Sequence, residues 1–106
     1  MNKKKIIGTP NRPRLYIFKS NKHIYAQLIN DQNNHIVATS STVSPEIRHN
    51  YKEFRNCNKA RLVGKDIASK SKAKGFTQIV FDRGNNVYHG QIQVLAESIR
   101  LEGIKF

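Results

Sequence analysis

Between Leu15 and Leu28 apolar residues fall on every second position. Leu15 and Ile17 alternate with Tyr16 and Phe18, and after Ser20, Asn21 and Lys22 the alternation resumes through Ile24, Ala26 and Leu28. That is the period of paired strands, each with one face turned to a core, joined by a short polar turn. A second turn, Asp31 to Asn34, leads into His35 to Ser41, where Ile36, Ala38 and Ser40 alternate with Val37, Thr39 and Ser41. The pattern predicts a three-stranded antiparallel meander.

The period then lengthens. Ser44, Pro45 and Glu46 form a helix start with proline at the first helical position, and Ile47, Tyr51 and Phe54 follow at helical spacing, predicting a short helical turn. Asn58 is placed to cap a longer helix in which Ala60, Val63, Ile67 and Ala68 make one apolar stripe, with Lys65, Lys70, Lys72 and Lys74 outside and Gly75 as the stop. Those lysines read as a solvated face in preference to a ligand site. Thr77 to Asp82, TQIVFD, is a short apolar run between turn signals and predicts a buried strand. A last helix follows from about Gly90 to Glu102, with Ile92, Leu95, Ala96 and Ile99 on one face and Gly103 as terminator.

The predicted fold is α/β in the order β-β-β-α-β-α, a mixed sheet of about four strands with two main helices. A helix separates the meander from the fourth strand, so that strand should run parallel to one of the first three by a right-handed crossover. Residues 1–13, with Lys3 to Lys5 and two prolines, read as a basic arm, and residues 14–106 as one globular domain.

Charge narrows the function. Nineteen Lys and Arg face seven Asp and Glu, a formal net charge of +12 with pI near 10.2. Such an excess calls for a polyanion, and nucleic acid is the commonest, ahead of anionic membrane or acidic protein. No apolar run approaches the roughly 18 residues of a membrane span, and MNKKKIIG has no apolar secretory segment. Cys57 is alone, and His23, His35, His49 and His89 have no companions at zinc spacing, so no metal or other cofactor is expected.

Two groups of residues carry the candidate chemistry. The first lies within RPRLYIFKSNKHIYAQ: Arg12, Arg14, Lys19, Ser20, Asn21, Lys22, His23, Tyr25 and Gln27. On a strand, His23, Tyr25 and Gln27 share one face, which suits RNA because bases stack on rings and pair with amides while Arg and Lys hold phosphates. Tyr25 by itself reads equally as a stacking ring or as a core-edge tyrosine. The second group is Asp82, Arg83, Gly84, Tyr88, His89 and Gly90, in FDRGNNVYHG, between a strand and a helix start. Here Asp82 is placed to orient Arg83 toward a phosphate.

Enzymatic alternatives fit less well. A metal-dependent nuclease needs converging carboxylates, whereas Asp31 sits in a turn and Asp66, Glu97 and Glu102 on helices, leaving Asp82 alone. The Gly84 to Gly90 span lacks the Gly-Lys-Ser/Thr ending of a nucleotide-binding loop.

Taken together, GTPNRPRL, SNKHIYAQLINDQ, VGKDIA and IVFDRGNNVYHGQIQVLAESIRLEGIKF closely resemble the bacterial-type family of large-subunit ribosomal proteins numbered eighteen, from about Gly8 to Phe106 apart from Ser44 to Cys57. The resemblance implies a non-enzymatic protein that binds 5S rRNA, helps attach it to the central protuberance, and adjoins 23S-type rRNA and neighbouring ribosomal proteins. It implies RNA contacts at Arg12, Arg14, Lys19, Ser20, Asn21, Lys22, His23, Tyr25, Gln27, Arg83, Tyr88 and His89. The chain departs from the family pattern in a shorter, lysine-based arm, in Asn85 where a glycine is common, and in Gln91 where many relatives carry arginine. A basic RNA-binding adaptor or assembly factor outside the ribosome is the alternative. Asn, Ile and Lys make up about a third of the residues, a bias that points first to a plastid-encoded protein and second to an AT-rich bacterium.

Overall fold

The computed structural model describes residues 6–20, 23–43, 56–84, 88 and 90–106. Strands β1 (Arg14–Ser20), β2 (His23–Asn30) and β3 (His35–Ser41) are followed by helix α1 (Asn56–Ala73), strand β4 (Val80–Asp82) and helix α2 (Gln91–Leu101). The sheet order is β3-β2-β1-β4, with β1–β2 and β2–β3 antiparallel and β1–β4 parallel. The meander, the parallel fourth strand and the element order are as the hydrophobic periods predict. The helical turn expected after Ser44 lies outside the described residues.

Register follows from burial. Leu15 pairs with Leu28 and Ile17 with Ala26, so every inward position of β1 meets an inward position of β2. A one-residue slip would expose that whole set. These side chains and Ile24 share one core with Val63 and Ile67 of α1, with Ile92, Leu95 and Ile99 of α2, and with Ile79 and Ile104. Both helices therefore close on the same face of the sheet.

Gly64 sets how closely the helices approach. A Cβ there would stand 2.7 Å from the Leu95 carbonyl oxygen and 2.9 Å from Ser98 Cβ, and Ser98 Oγ donates to the Arg61 carbonyl across the same crossing at 2.8 Å. Any larger residue would push α2 outward. Both helices stop at a left-handed glycine. Phe76 N–H donates to Ser71 O and Gly75 N–H to Lys72 O at the end of α1, and Ile104 and Gly103 repeat the pattern on Ile99 and Arg100 at the end of α2. This paired return of hydrogen bonds satisfies carbonyls that the helix leaves open.

Two boundaries move from their predicted places. Helix α1 begins at Asn56, so Asn58 lies inside the first turn and not at the cap. The strand expected from Thr77 is confined to Val80–Asp82. Val80 N–H donates to the Pro13 carbonyl, and before Pro13 the chain turns back through Thr9 and Arg12, so β1 has no edge left to offer. Thr77 and Ile79 pair instead with Lys105 near the other end of the chain, at 2.9 and 3.1 Å.

Candidate nucleic-acid interface

The face of the sheet opposite the helices carries rings. On β1 the outward residues are Arg14, Tyr16 and Phe18, and on β2 they are His23, Tyr25 and Gln27, all half-buried. Register sets Phe18 across from Tyr25, Tyr16 from Gln27 and Ser20 from His23. The Phe18 and Tyr25 rings stack at 4.8 Å with planes 9° apart, and Tyr16 stacks on Phe18 at 5.4 Å. One face of Tyr25 is thus covered by Phe18. The row is ordered by its own stacking before any ligand arrives, at about 0.5–1.5 kcal/mol per pair beyond area burial. Tyr16 and Phe18 were not singled out from the sequence, although their alternation with Leu15 and Ile17 marks them as outward rings.

His23 is held at one end of the row. Its Nδ1 lies 3.0 Å from Thr42 Oγ1, which also accepts from the Ile24 N–H at 3.1 Å. Ser20, across from His23, is exposed on the same face; Lys19 is exposed at the end of β1, on the side of Ile24 by alternation, and Arg12 is exposed where it closes the Thr9–Arg12 turn. Asn21, Lys22 and His89 lie outside the described residues.

Arg14 occupies a different position from Arg12. Its Nε and Nη2 donate to Asp31 at 3.0–3.2 Å, and its Nη1 donates to Asp82 at 3.0 Å. The three side chains are only 19%, 12% and 14% exposed. Hydrogen bonding from Asp31 first, opposed by burial and reinforced by Asp82, holds the guanidinium pKa above its ordinary value. Asp31 also accepts the Gly8 N–H at 2.7 Å, and Asp82 accepts the Gly84 N–H at 2.9 Å. One arginine thereby ties together the chain before β1, the β2–β3 turn and the segment after β4.

This clasp corrects one expectation. Asp82 does not stand alone, because the fold brings Asp31 to the same guanidinium. Arg14 and the Gly84 amide engage its carboxylate, and Arg83 lies over the Tyr88 ring, 5.9 Å from the centroid. Among the described residues no three His, Cys, Asp or Glu side chains converge. At this clasp both carboxylates already share one arginine.

The two candidate groups adjoin. Built on Gly84, a Cβ would lie 3.1 Å from Tyr16 Cε1, so the segment after β4 rests against the first ring of the row. Arg14 also lies over that ring at 5.7 Å. The result is one surface running from His23 at the start of β2 across the rings to β4. Its charge is unbalanced: all five acidic side chains of the described residues have protein partners, through Arg14, Lys70, Lys72 and Gln93. Such a face suits a hydrated polyanion.

The chain is similar to known proteins along nearly its whole length. The family model for ribosomal L18 of archaea, bacteria, mitochondria and chloroplasts matches residues 2–106. The chain is 56% identical over 104 residues to the large ribosomal subunit protein uL18c of Gracilaria tenuistipitata var. liui, covering 98% of this chain and 99% of that protein. It is 49% identical over 102 residues to large ribosomal subunit protein uL18 of a Nostoc species, covering 96% and 85%. The uL18 protein of Synechococcus elongatus is 48% identical over 101 residues, covering 95% and 84%.

Proposed function

The chain belongs to the ribosomal L18 family, and from that premise we propose that it binds 5S rRNA and helps fix it in the central protuberance of the large ribosomal subunit. It is a structural ribosomal protein and not an enzyme, as its relatives are. The observation that carries the 5S assignment is the continuous outward surface of Tyr16, Phe18, Tyr25 and Gln27, flanked by Arg12, Lys19, His23, Arg83 and Tyr88. Rings, amides and imidazole meet bases and sugars, while the exposed cations neutralise phosphates. Arg14 takes a positioning role, because its donors hold Asp31 and Asp82. Adjoining 23S-type rRNA and ribosomal proteins would meet the remaining surface.

The site of action is a plastid ribosome, with a bacterial ribosome second. Identity to the Gracilaria uL18c and to the Nostoc and Synechococcus proteins supports this choice, as does the Asn, Ile and Lys bias.

Titration of the purified chain with 5S rRNA and with a transfer RNA, over a range of salt, tests the proposal. Preference for 5S rRNA is expected, with a log-log salt slope of about −3 to −5 for roughly 4 to 6 neutralised phosphates. Equal affinity for both RNAs would return the chain to a general basic adaptor.

A further inference from the structure

Resting on the RNA function above and deepening it, we infer that Thr39 of β3 is a further RNA contact, whose hydroxyl joins the Gln27 amide in taking a ribose 2′-hydroxyl and so in preferring RNA to DNA. Register places it there. Tyr16 of β1 stands opposite Gln27 of β2, and Gln27 stands opposite Thr39 of β3. Directly opposed residues share a face, so a ring, an amide and a hydroxyl form one row across the outward side of the sheet. The neighbouring row runs through Phe18, Tyr25 and Ser41. Each row therefore passes from a ring on β1 to a hydroxyl on β3. Ser41 is buried and Thr39 is exposed, so only the row through Gln27 presents its hydroxyl to a ligand.

Thr39 is held through its main chain. Thr42 N–H donates to the Ile24 carbonyl and Ala26 pairs with Ser40, so by alternation the Thr39 carbonyl points to the open edge of β3. Lys70 of α1 reaches that carbonyl at 2.9 Å, while its ammonium also pairs with Asp66 at 2.9 Å. The helix layer thus fixes the backbone under the hydroxyl and leaves the side chain alone. Among the described residues neither the Thr39 hydroxyl nor the Gln27 amide has a hydrogen-bonding partner. Two polar groups one strand spacing apart, about 4.8 Å, stand beside stacked rings with their donors and acceptors unspent.

Neither group is charged, so the pair adds nothing to phosphate neutralisation. An amide and a hydroxyl together donate and accept, as does a ribose 2′-hydroxyl, the group by which a protein tells RNA from DNA. The spacing suits a single nucleotide, its base edge toward Gln27 beside the rings and its sugar one strand further out at Thr39. Arg12 and the other exposed cations hold a backbone of either kind. Gln27 and Thr39 supply the discrimination that those cations lack. A strand favours threonine for its β-branched side chain, and valine satisfies that preference equally, so exchanging the two isolates the hydroxyl.

The test compares the full chain with its T39V and T39S variants, using 5S rRNA and a pool of 5S transcripts that carry sparse 2′-deoxynucleotides. T39V is expected to bind unsubstituted 5S rRNA about fivefold more weakly, the loss of one neutral hydrogen bond, with its salt slope and melting temperature unchanged. The wild type should select against a 2′-deoxynucleotide at one position to which T39V is indifferent. T39S should restore both the affinity and that selection. Equal selection by wild type and T39V at every position would overturn the proposal, and so would unchanged affinity. A lowered melting temperature with selection intact would make Thr39 a strand residue only, and would overturn it as well. A wild-type chain with no preference for 5S rRNA over a transfer RNA would instead remove the underlying function.

Discussion

The two faces of the β1–β2 hairpin come from alternate residues of the same strands and solve opposite problems. Leu15, Ile17, Ile24, Ala26 and Leu28 point inward, and the chain's own helices cover them almost completely. Tyr16, Phe18, Tyr25, His23 and Gln27 point outward and stay half-exposed. The inward face is ordered by exclusion of water, so any apolar side chain that fills the space serves it. The outward face has no such cover among the described residues. It is ordered by ring stacking and one imidazole contact, which leave polar atoms at the surface for a hydrated ligand. Arg14 breaks the division: it lies on the outward face, yet its contacts hold the fold together.

This contrast can be broken most forcefully from the inside. Ile17→Ala should cost about 3–4 kcal/mol in denaturant unfolding, from lost burial and the cavity left behind. The fraction that remains folded should bind 5S rRNA with unchanged affinity. Affinity falling in step with stability would mean that the faces are not separable.

Arg14 sharpens the comparison. Arg14→Gln should destabilise the protein by about 2–3 kcal/mol, because two mostly buried carboxylates lose their shared counter-charge. Arg14→Lys should recover less than half of that, since a single ammonium cannot reproduce a fork spanning both Asp31 and Asp82. Unfolding curves for both variants decide it. If Arg14→Gln unfolded like the wild type and lost only RNA affinity, Arg14 would belong with Arg12 as a phosphate contact.

What the sequence revealed follows the range of the forces involved. Alternation in the hairpin and the apolar stripe of Ala60, Val63 and Ile67 depend on neighbours along the chain, and they place the elements to within a residue or two. The start of α1 at Asn56 and the shortened β4 depend on what else packs nearby, and both shifted. The clasp was not legible, because Arg14 and Asp31 are 17 residues apart and Arg14 and Asp82 are 68 apart. Composition marks all three as surface charges; the antiparallel pairing of β1 with β2 brings Asp31 to Arg14, and the parallel pairing of β1 with β4 brings Asp82. Arg12 and Arg14 look equivalent in RPRL; one closes an exposed turn and the other sits between two strands.

The central claim is that the outward face and its flanking cations grip 5S rRNA. Its most direct test is the salt dependence of 5S rRNA binding for an Arg12→Ala/Lys19→Ala double variant, compared with the wild type. Both side chains are exposed, so stability should change by less than about 0.5 kcal/mol. The slope should become shallower by about 1.8, two phosphate contacts. An unchanged slope with unchanged affinity would show that RNA does not lie along this face.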